Sequence, residues 1–284
     1  MNRSRRHHSN PHSRRIVISF IVGVIVGLLP FMFSRFFAPR HKPAPYAAAR
    51  APAAYPGPAA PQHKKIRVAI VLDDFGYNYN NVEAVFGIGR PVTFSILPHL
   101  EHSQAIAERI TQKGYEAILH VPLEPQENER SVKPERNTIM VRMNEQQIID
   151  ILSGDIENLK SVRGVSNHQG SRATEDKPLM RVIMAQLKKR DLFFLDSLVT
   201  HTSICRQAAK EMGVRFRRRD IFLDNEEGFE YIKGQMQQLI RRAKRSGSAV
   251  GIGHDRAKTV EALSLLMPEA EKQGVQFVFL SELM

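Results

Sequence analysis

Residues 66–284 predict an α/β domain built on a parallel sheet. Three observations carry that expectation. Short apolar runs, beginning with residues 66–72, are nearly continuous, as in strands buried on both faces. These runs alternate with helical spacing about seven times over roughly 220 residues. Asp, Asn and His recur directly after the runs, at the strand ends where α/β folds place their active sites. The pattern alone leaves a barrel and an open doubly wound sheet both open.

In chain order, residues 66–72 and 92–97 read as strands. Helical spacing runs through 103–113 and stops at Gly114. A third strand spans 115–121. Residues 122–143 form a long irregular connection whose Pro and charged residues make it a lid candidate. A helix over 145–159 leads to a short strand at 164–167. A helix at 178–189 precedes a strand at 192–195, and another at 203–212 precedes short strands at 214–216 and 221–223. Then come a helix at 227–245, a strand at 249–252, a helix at 259–273 and a last strand at 275–280.

The 65 residues before this domain differ in kind. Eleven of the 41 Lys and Arg residues lie there, with no Asp or Glu; the remaining 30 basic residues face 29 acidic ones. The formal charge of +12 therefore belongs to the tail, and the domain has no overall attraction for nucleic acid. Residues 1–15 form a basic segment expected to stay cytoplasmic. Residues 16–37 read as a membrane signal anchor or a cleaved signal peptide, with Arg35 placed to snorkel. Residues 38–65, rich in Ala and Pro, form a spacer without a core of its own. The expected location is the inner membrane with the domain in the periplasm, or free in the periplasm if the segment is cleaved.

The polar residues suggest the chemistry. Asp73-Asp74, His120, Asn167-His168, Asp196-Ser197, Asp224-Asn225 and Gly253-His254-Asp255 each follow a strand. Singly, Asp74 could be a helix cap and His120 a hydrogen-bonded core histidine. Jointly they make a ligand set for Zn²⁺ or a similar divalent metal, with carboxylate and imidazole left over for proton transfer: metal-assisted hydrolysis. G-x-S-x-G and G-x-x-x-x-G-K-[ST] are both absent. Gly87-Ile-Gly89 and Gly251-Ile-Gly253 lack the third glycine of a dinucleotide loop. The lone cysteine, Cys205, excludes an internal disulfide and reads as packing.

These residues resemble the polysaccharide deacetylases with a NodB-type domain, and more closely their divergent (YibQ-like) branch. The likeness rests on Val71-Leu-Asp-Asp-Phe-Gly76, Thr93-Phe-Ser-Ile-Leu97 and Gly114-Tyr-Glu-Ala-Ile-Leu-His120. Asn167-His-Gln-Gly-Ser-Arg172, Phe194-Leu-Asp-Ser197, Phe222-Leu-Asp-Asn225 and Ile252-Gly-His254 extend it. The resemblance implies a distorted (β/α) barrel of about seven strands and one bound metal, with Zn expected. It implies removal of N-acetyl groups from an amino-sugar glycan of the cell envelope. Carried over by position, Asp73 matches the general base and His254 the general acid, with Asp196 near the carboxylate that tunes it. Asp74 and His120 match metal ligands. Glu124 stands where the family has a second histidine, and His168 is the other candidate for that lost ligand. Asn167, Arg172 and Asp224 are expected to bind substrate. The contrasting expectation is a catalytically silent relative that binds glycan or a cell-wall enzyme.

Overall fold

The computed structural model describes residues 66–127 and 135–284; the tail, its apolar run and the spacer lie outside them. Among the described residues no helix is long and apolar enough to cross a membrane.

The elements are β1 (Ile66–Phe75), α1 (Val82–Gly87), β2 (Thr93–Ile96), α2 (Ser103–Gln112) and β3 (Glu116–Leu123). Next come α3 (Glu145–Asn158), β4 (Gly164–Gln169), α4 (Lys177–Lys189), β5 (Phe193–Asp196) and α5 (Cys205–Met212). The chain ends with β6 (Phe216–Arg218), β7 (Ile221–Phe222), α6 (Phe229–Ser246), β8 (Ser248–His254), α7 (Ala257–Lys272) and β9 (Val275–Phe277). The parallel α/β architecture is the expected one; its nine strands fall at the nine runs read from the sequence, where the resemblance implied about seven. The extra strands are pieces of two and three residues at the sheet's margins. Helix α1 has no counterpart in the sequence reading, because six residues are too few to show a 3.6-residue period.

All pairings are parallel, in the order β6-β5-β4-β3-β2-β1-β8-β7, with β9 beside the start of β1. The sheet curls into a half-barrel. Arg219 and Asp220 alone link β6 to β7, and they bond in opposite directions: Arg219 N donates to Asp196 O, and Asp220 N to Val250 O.

Apolar side chains fill both faces. Val68, Ile70 and Leu72 of β1 pack outward in the large core under the helices. Ala69 and Val71 pack inward with Ile118, Phe193, Leu195, Val250 and Ile252. The C-terminal turn plugs the lower end of the interior with Leu280 and Leu283. There Thr93 Oγ1 donates to Glu116 Oε1 and accepts from Leu280 N. A buried carboxylate is thus satisfied at the plug.

Strand β1 carries the one irregularity that matters most. Leu72 pairs with Phe94 and Phe75 with Ile96, so Asp73 and Asp74 together oppose Ser95. This is a β-bulge, and Asp74 takes φ 71°. Asp73 faces inward in phase with Val71. The bulge turns Asp74 inward as well, and Phe75 resumes the outward face.

Helix α3 buries Asp155 completely. Its Oδ1 lies 2.9 Å from His99 Nε2, and its Oδ2 has no hydrogen-bond partner. Burial pushes the Asp155 carboxyl up to about 7. A carboxyl whose folded pKa is raised contributes stability that is full below its unfolded pKa, about 3.9, and is lost as pH rises through the folded value. Asp155→Asn should therefore gain about 1–3 kcal/mol on wild type between pH 5 and 8. Denaturant unfolding at the two pH values checks this; parallel curves would exclude the ionisation of Asp155 as the cause.

Candidate metal and acid–base site

Three inward side chains meet at the carboxyl ends of β1, β3 and β4. Alternation puts His120 in phase with Ile118, and the ladder pairs His120 with Ser166 and Pro122 with His168. His168 Nδ1 lies 3.1 Å from Asp74 Oδ1 and 3.3 Å from His120 Nε2, and His120 Nε2 lies 3.4 Å from Asp74 Oδ1. Ser166 Oγ, bonded in turn to Ser95 Oγ, sits 2.8 Å from His120 Nδ1 and fixes that ring. Among the described residues Asp74, His120 and His168 form a group able to hold a metal ion.

The fit of such an ion can be tested on the donor atoms. Ligands at about 2.0–2.2 Å in tetrahedral array stand about 3.3–3.6 Å apart. The triangle here has edges of 3.1, 3.3 and 3.4 Å. Asp74 Oδ1 is buried and makes no well-formed hydrogen bond despite two imidazoles beside it. An anionic oxygen and two ring nitrogens within 3.4 Å of one another suit a divalent cation of Zn type. Burial would raise the Asp74 carboxyl, but the two imidazoles outweigh it and hold the carboxyl well below the usual range. His168 is the converse case: burial disfavours its charge, and Asp74 beside it raises its pKa.

Asp73 stands next to this group without joining it. Its Oδ2 is 3.6 Å from His120 Nε2, and its buried Oδ1 has no partner. Burial raises its pKa, with Asp74 adding to the rise and His120 opposing it. A buried carboxyl with a vacant lone pair and a raised pKa is equipped to accept a proton.

His254 reaches the same end from β8, paired in register with Asp73. Its Nδ1 lies 2.8 Å from Asp224 Oδ1, and its backbone N–H donates to Asp224 Oδ2. Thr259 Oγ1 donates to that same Oδ2 at 2.7 Å. Phe222 stacks on the imidazole, with centroids 5.8 Å apart and planes 13° apart. With Nδ1 engaged, Nε2 is the nitrogen left for proton transfer. Burial disfavours the imidazolium, but Asp224 outweighs it and raises the His254 pKa; the Asp224 carboxyl, which burial alone would raise, is held low by His254.

Several expected roles move to other residues. Asp196 is not the carboxylate on His254. It accepts from Leu198 N and Ser203 Oγ, in phase with the outward Phe194. Asp224, expected at the substrate, is 1% exposed and orients His254 instead. Glu124 lies outside the metal-capable group. Its carboxylate accepts from Val141 N and from Arg172 Nη1, and its backbone carbonyl accepts from Arg172 N and Ala173 N. Glu124 and Arg172 thereby brace the β3–α3 connection. Asn167 is buried and bonds within the scaffold, to Ser197 N and Gln169 O. Cys205 is buried in α5, and burial pushes its thiol up, away from reactivity. The sequence reading did not single out Ser166 or Thr259, ordinary strand and helix residues with no spacing signal, and gave Phe222 no role of its own.

Comparison with known proteins gives the family and the fold. A family model of divergent polysaccharide deacetylases matches residues 70–284. An uncharacterised protein of Haemophilus influenzae is 34% identical over 197 residues, 69% of this chain and 69% of that protein. The uncharacterised protein YibQ of Escherichia coli is 31% identical over 202 residues; the match covers 71% of this chain but 62% of YibQ, less than two thirds of its length. Among crystal structures, an uncharacterised protein from Agrobacterium tumefaciens superposes with a TM-score of 0.73 at 26% identity, over 78% of this chain and 89% of that one. The catalytic domain of a peptidoglycan N-acetylglucosamine deacetylase from Eubacterium rectale gives 0.50 at 17% identity, over 82% and 93%, a likeness of fold.

The reassignment of the His254 partner has a direct check. Asp224→Asn should lower the His254 pKa, measured by NMR titration of its ring, whereas Asp196→Asn should leave it in place. The reverse result would restore Asp196 to that role.

Proposed function

The chain belongs to the divergent polysaccharide deacetylases, and from that premise we propose that it is a metal-dependent hydrolase removing N-acetyl groups from an amino-sugar glycan of the cell envelope. The observation that supports this most is the placing of three elements at one barrel end: a metal-capable triad, a buried carboxyl with a vacant oxygen, and a His–Asp dyad.

Asp74, His120 and His168 would hold the ion, with Zn²⁺ the species their donor set favours. Such an ion supplies Lewis-acid polarisation of the acetyl carbonyl and a lowered pKa for water. Asp73 Oδ1 takes the proton released as water adds to the amide carbon. His254 Nε2 gives a proton to the leaving amine nitrogen as the C–N bond breaks. Asp224, fixed by Thr259 and the His254 backbone, keeps the imidazole in the tautomer and orientation this requires. The half-barrel interior below the site is filled by apolar side chains. On the sequence pattern alone, residues 16–37 belong to this reading as a membrane anchor that holds the domain outside the cytoplasm.

Metal analysis of the full-length chain tests the reading. Wild type should carry about one zinc-like ion per chain, and a His120→Ala/His168→Ala variant almost none. Asp73→Asn should keep the ion and lose about 10²–10⁴-fold in turnover of acetylated glucosamine oligomers. Metal-free wild-type protein after incubation with divalent ions would overturn the hydrolase and leave glycan binding as the function. Full turnover in Asp73→Asn would remove Asp73 as the base.

A further inference from the structure

The starts of the strands carry charge that the chemistry does not use. Every pairing is parallel, so all the strands begin at one end of the domain, opposite Asp74 and His254. At that end a cavity of about 280 Å³ is lined by Arg163, Arg190 and Arg215 together with Asp191 and Ser281. All three arginines are exposed, and the last two turns of α6 expose Arg241, Lys244 and Arg245 at the same end. Acidic partners are few. Asp191 Oδ1 lies 3.2 Å from Arg215, and Asp220 Oδ1 lies 3.0 Å from Arg242. Arg163, Arg190, Arg241, Lys244 and Arg245 form no ion pair among the described residues.

The cavity and the end of α6 are joined through the C-terminal turn. Ser281 lines the cavity, and the carbonyl of Glu282 accepts from Arg67 Nη1 at 3.1 Å. Arg67 N donates in turn to the carbonyl of Gly247, directly after α6. The basic surface therefore surrounds Ile66, where the spacer of residues 38–65 joins the domain. Basic residues at helix C-termini have an ordinary cause in the helix dipole. It accounts for Lys244 and Arg245 in the last turn of α6. It does not account for Arg163 and Arg215, which directly precede β4 and β6 outside any helix.

Residues 66–284 hold 30 Lys and Arg against 29 Asp and Glu, so a basic surplus at one end leaves an acidic surplus elsewhere. Asp73, Asp74, Asp224 and Asp255 stand at the opposite end. An anionic plane attracts the first end and repels the second. Guanidinium forks match the oxygens of a phosphate. Resting on the anchor reading above, we propose that the strand-start face is a docking surface for an anionic phospholipid bilayer, with a headgroup phosphate seated among Arg163, Arg190 and Arg215. Docking turns Asp74 and His254 away from the lipid and presents them to the glycan.

The full-length chain in nanodiscs of phosphatidylglycerol or phosphatidylcholine, each holding a headgroup-spin-labelled lipid, tests this without turnover. Cys205 is buried, so a fluorophore on Ser246→Cys reports the strand-start face alone, and one on Asn80→Cys the opposite end. Quenching at Ser246→Cys should be about threefold greater in phosphatidylglycerol and fall to the phosphatidylcholine level in about 0.5 M salt. Quenching at Asn80→Cys should not depend on the lipid. Arg163→Gln/Arg190→Gln/Arg215→Gln should lose most of the increase. If that variant does not melt cooperatively, Arg163→Gln/Lys244→Gln, which changes exposed side chains only, should lose part of it. Equal quenching in the two lipids, or an undiminished increase in the folded variants, overturns the docking surface. Calorimetric binding of inorganic phosphate with no lipid effect marks an anion site only and overturns it too. A chain that leaves phosphatidylcholine nanodiscs but stays on phosphatidylglycerol upholds docking while the anchor reading fails. A chain retained by both, with equal quenching, does the opposite.

Discussion

The bulge in β1 is the constraint on which the site depends. A regular strand sends adjacent residues to opposite faces. Asp73 and Asp74 would then be divided between the interior and the helix layer. Because both oppose Ser95, they instead converge on His120 Nε2, at 3.6 and 3.4 Å. The cost is a non-glycine residue at φ 71°, of order 1–3 kcal/mol. It is sustained from both sides, by pairing with β2 and by the uninterrupted register with β8 through Asp73 and His254.

That register also joins two networks that would otherwise be separate. The triad draws on β1, β3 and β4, and the His254–Asp224 dyad on β8 and the end of β7; β1 is the triad's strand nearest the dyad and pairs directly with β8. Each network answers burial differently. In the dyad, hydrogen bonds from His254, its backbone and Thr259 satisfy Asp224, so a buried charge is compensated. In the triad and beside it, buried oxygens of Asp74 and of the neighbouring Asp73 are left without hydrogen bonds. A folded protein tolerates such atoms where a ligand or a proton completes them. The contrast separates a part built to stay fixed from a part built to receive something.

The strand–helix order was legible because the helices repeat their period and the strands stand out as nearly continuous apolar runs. The position of the site was legible too, since Asp and His follow strand after strand. The division of labour among those residues was not. Assigning Asp196 and Asp224 needs the inward or outward phase of each strand, and strands apolar on both faces hide it. Phe194 packs outward and carries Asp196 with it, whereas Phe222 packs toward the interior and puts Asp224 beside His254. No pattern in a single sequence marks the bulge, because the alternation it breaks is already invisible. Helix α1 was too short to carry any period.

The reassignment of Glu124 follows the same logic of support. A ligand four residues after His120 would sit beyond β3, on the connection to α3. His168 sits on β4, where backbone pairing with Pro122 sets its place directly beside His120. Taking the third donor from a neighbouring strand ties the triad's geometry to the sheet and frees Glu124 for another task. Its carboxylate and carbonyl collect donors from Val141, Arg172 and Ala173, and its own N–H donates to Ile139 O. The connection is thereby pinned beside the site by a residue that plays no part in the donor triangle. The donor triangle therefore rests on backbone pairing between strands, while the connection is fixed separately, through Glu124.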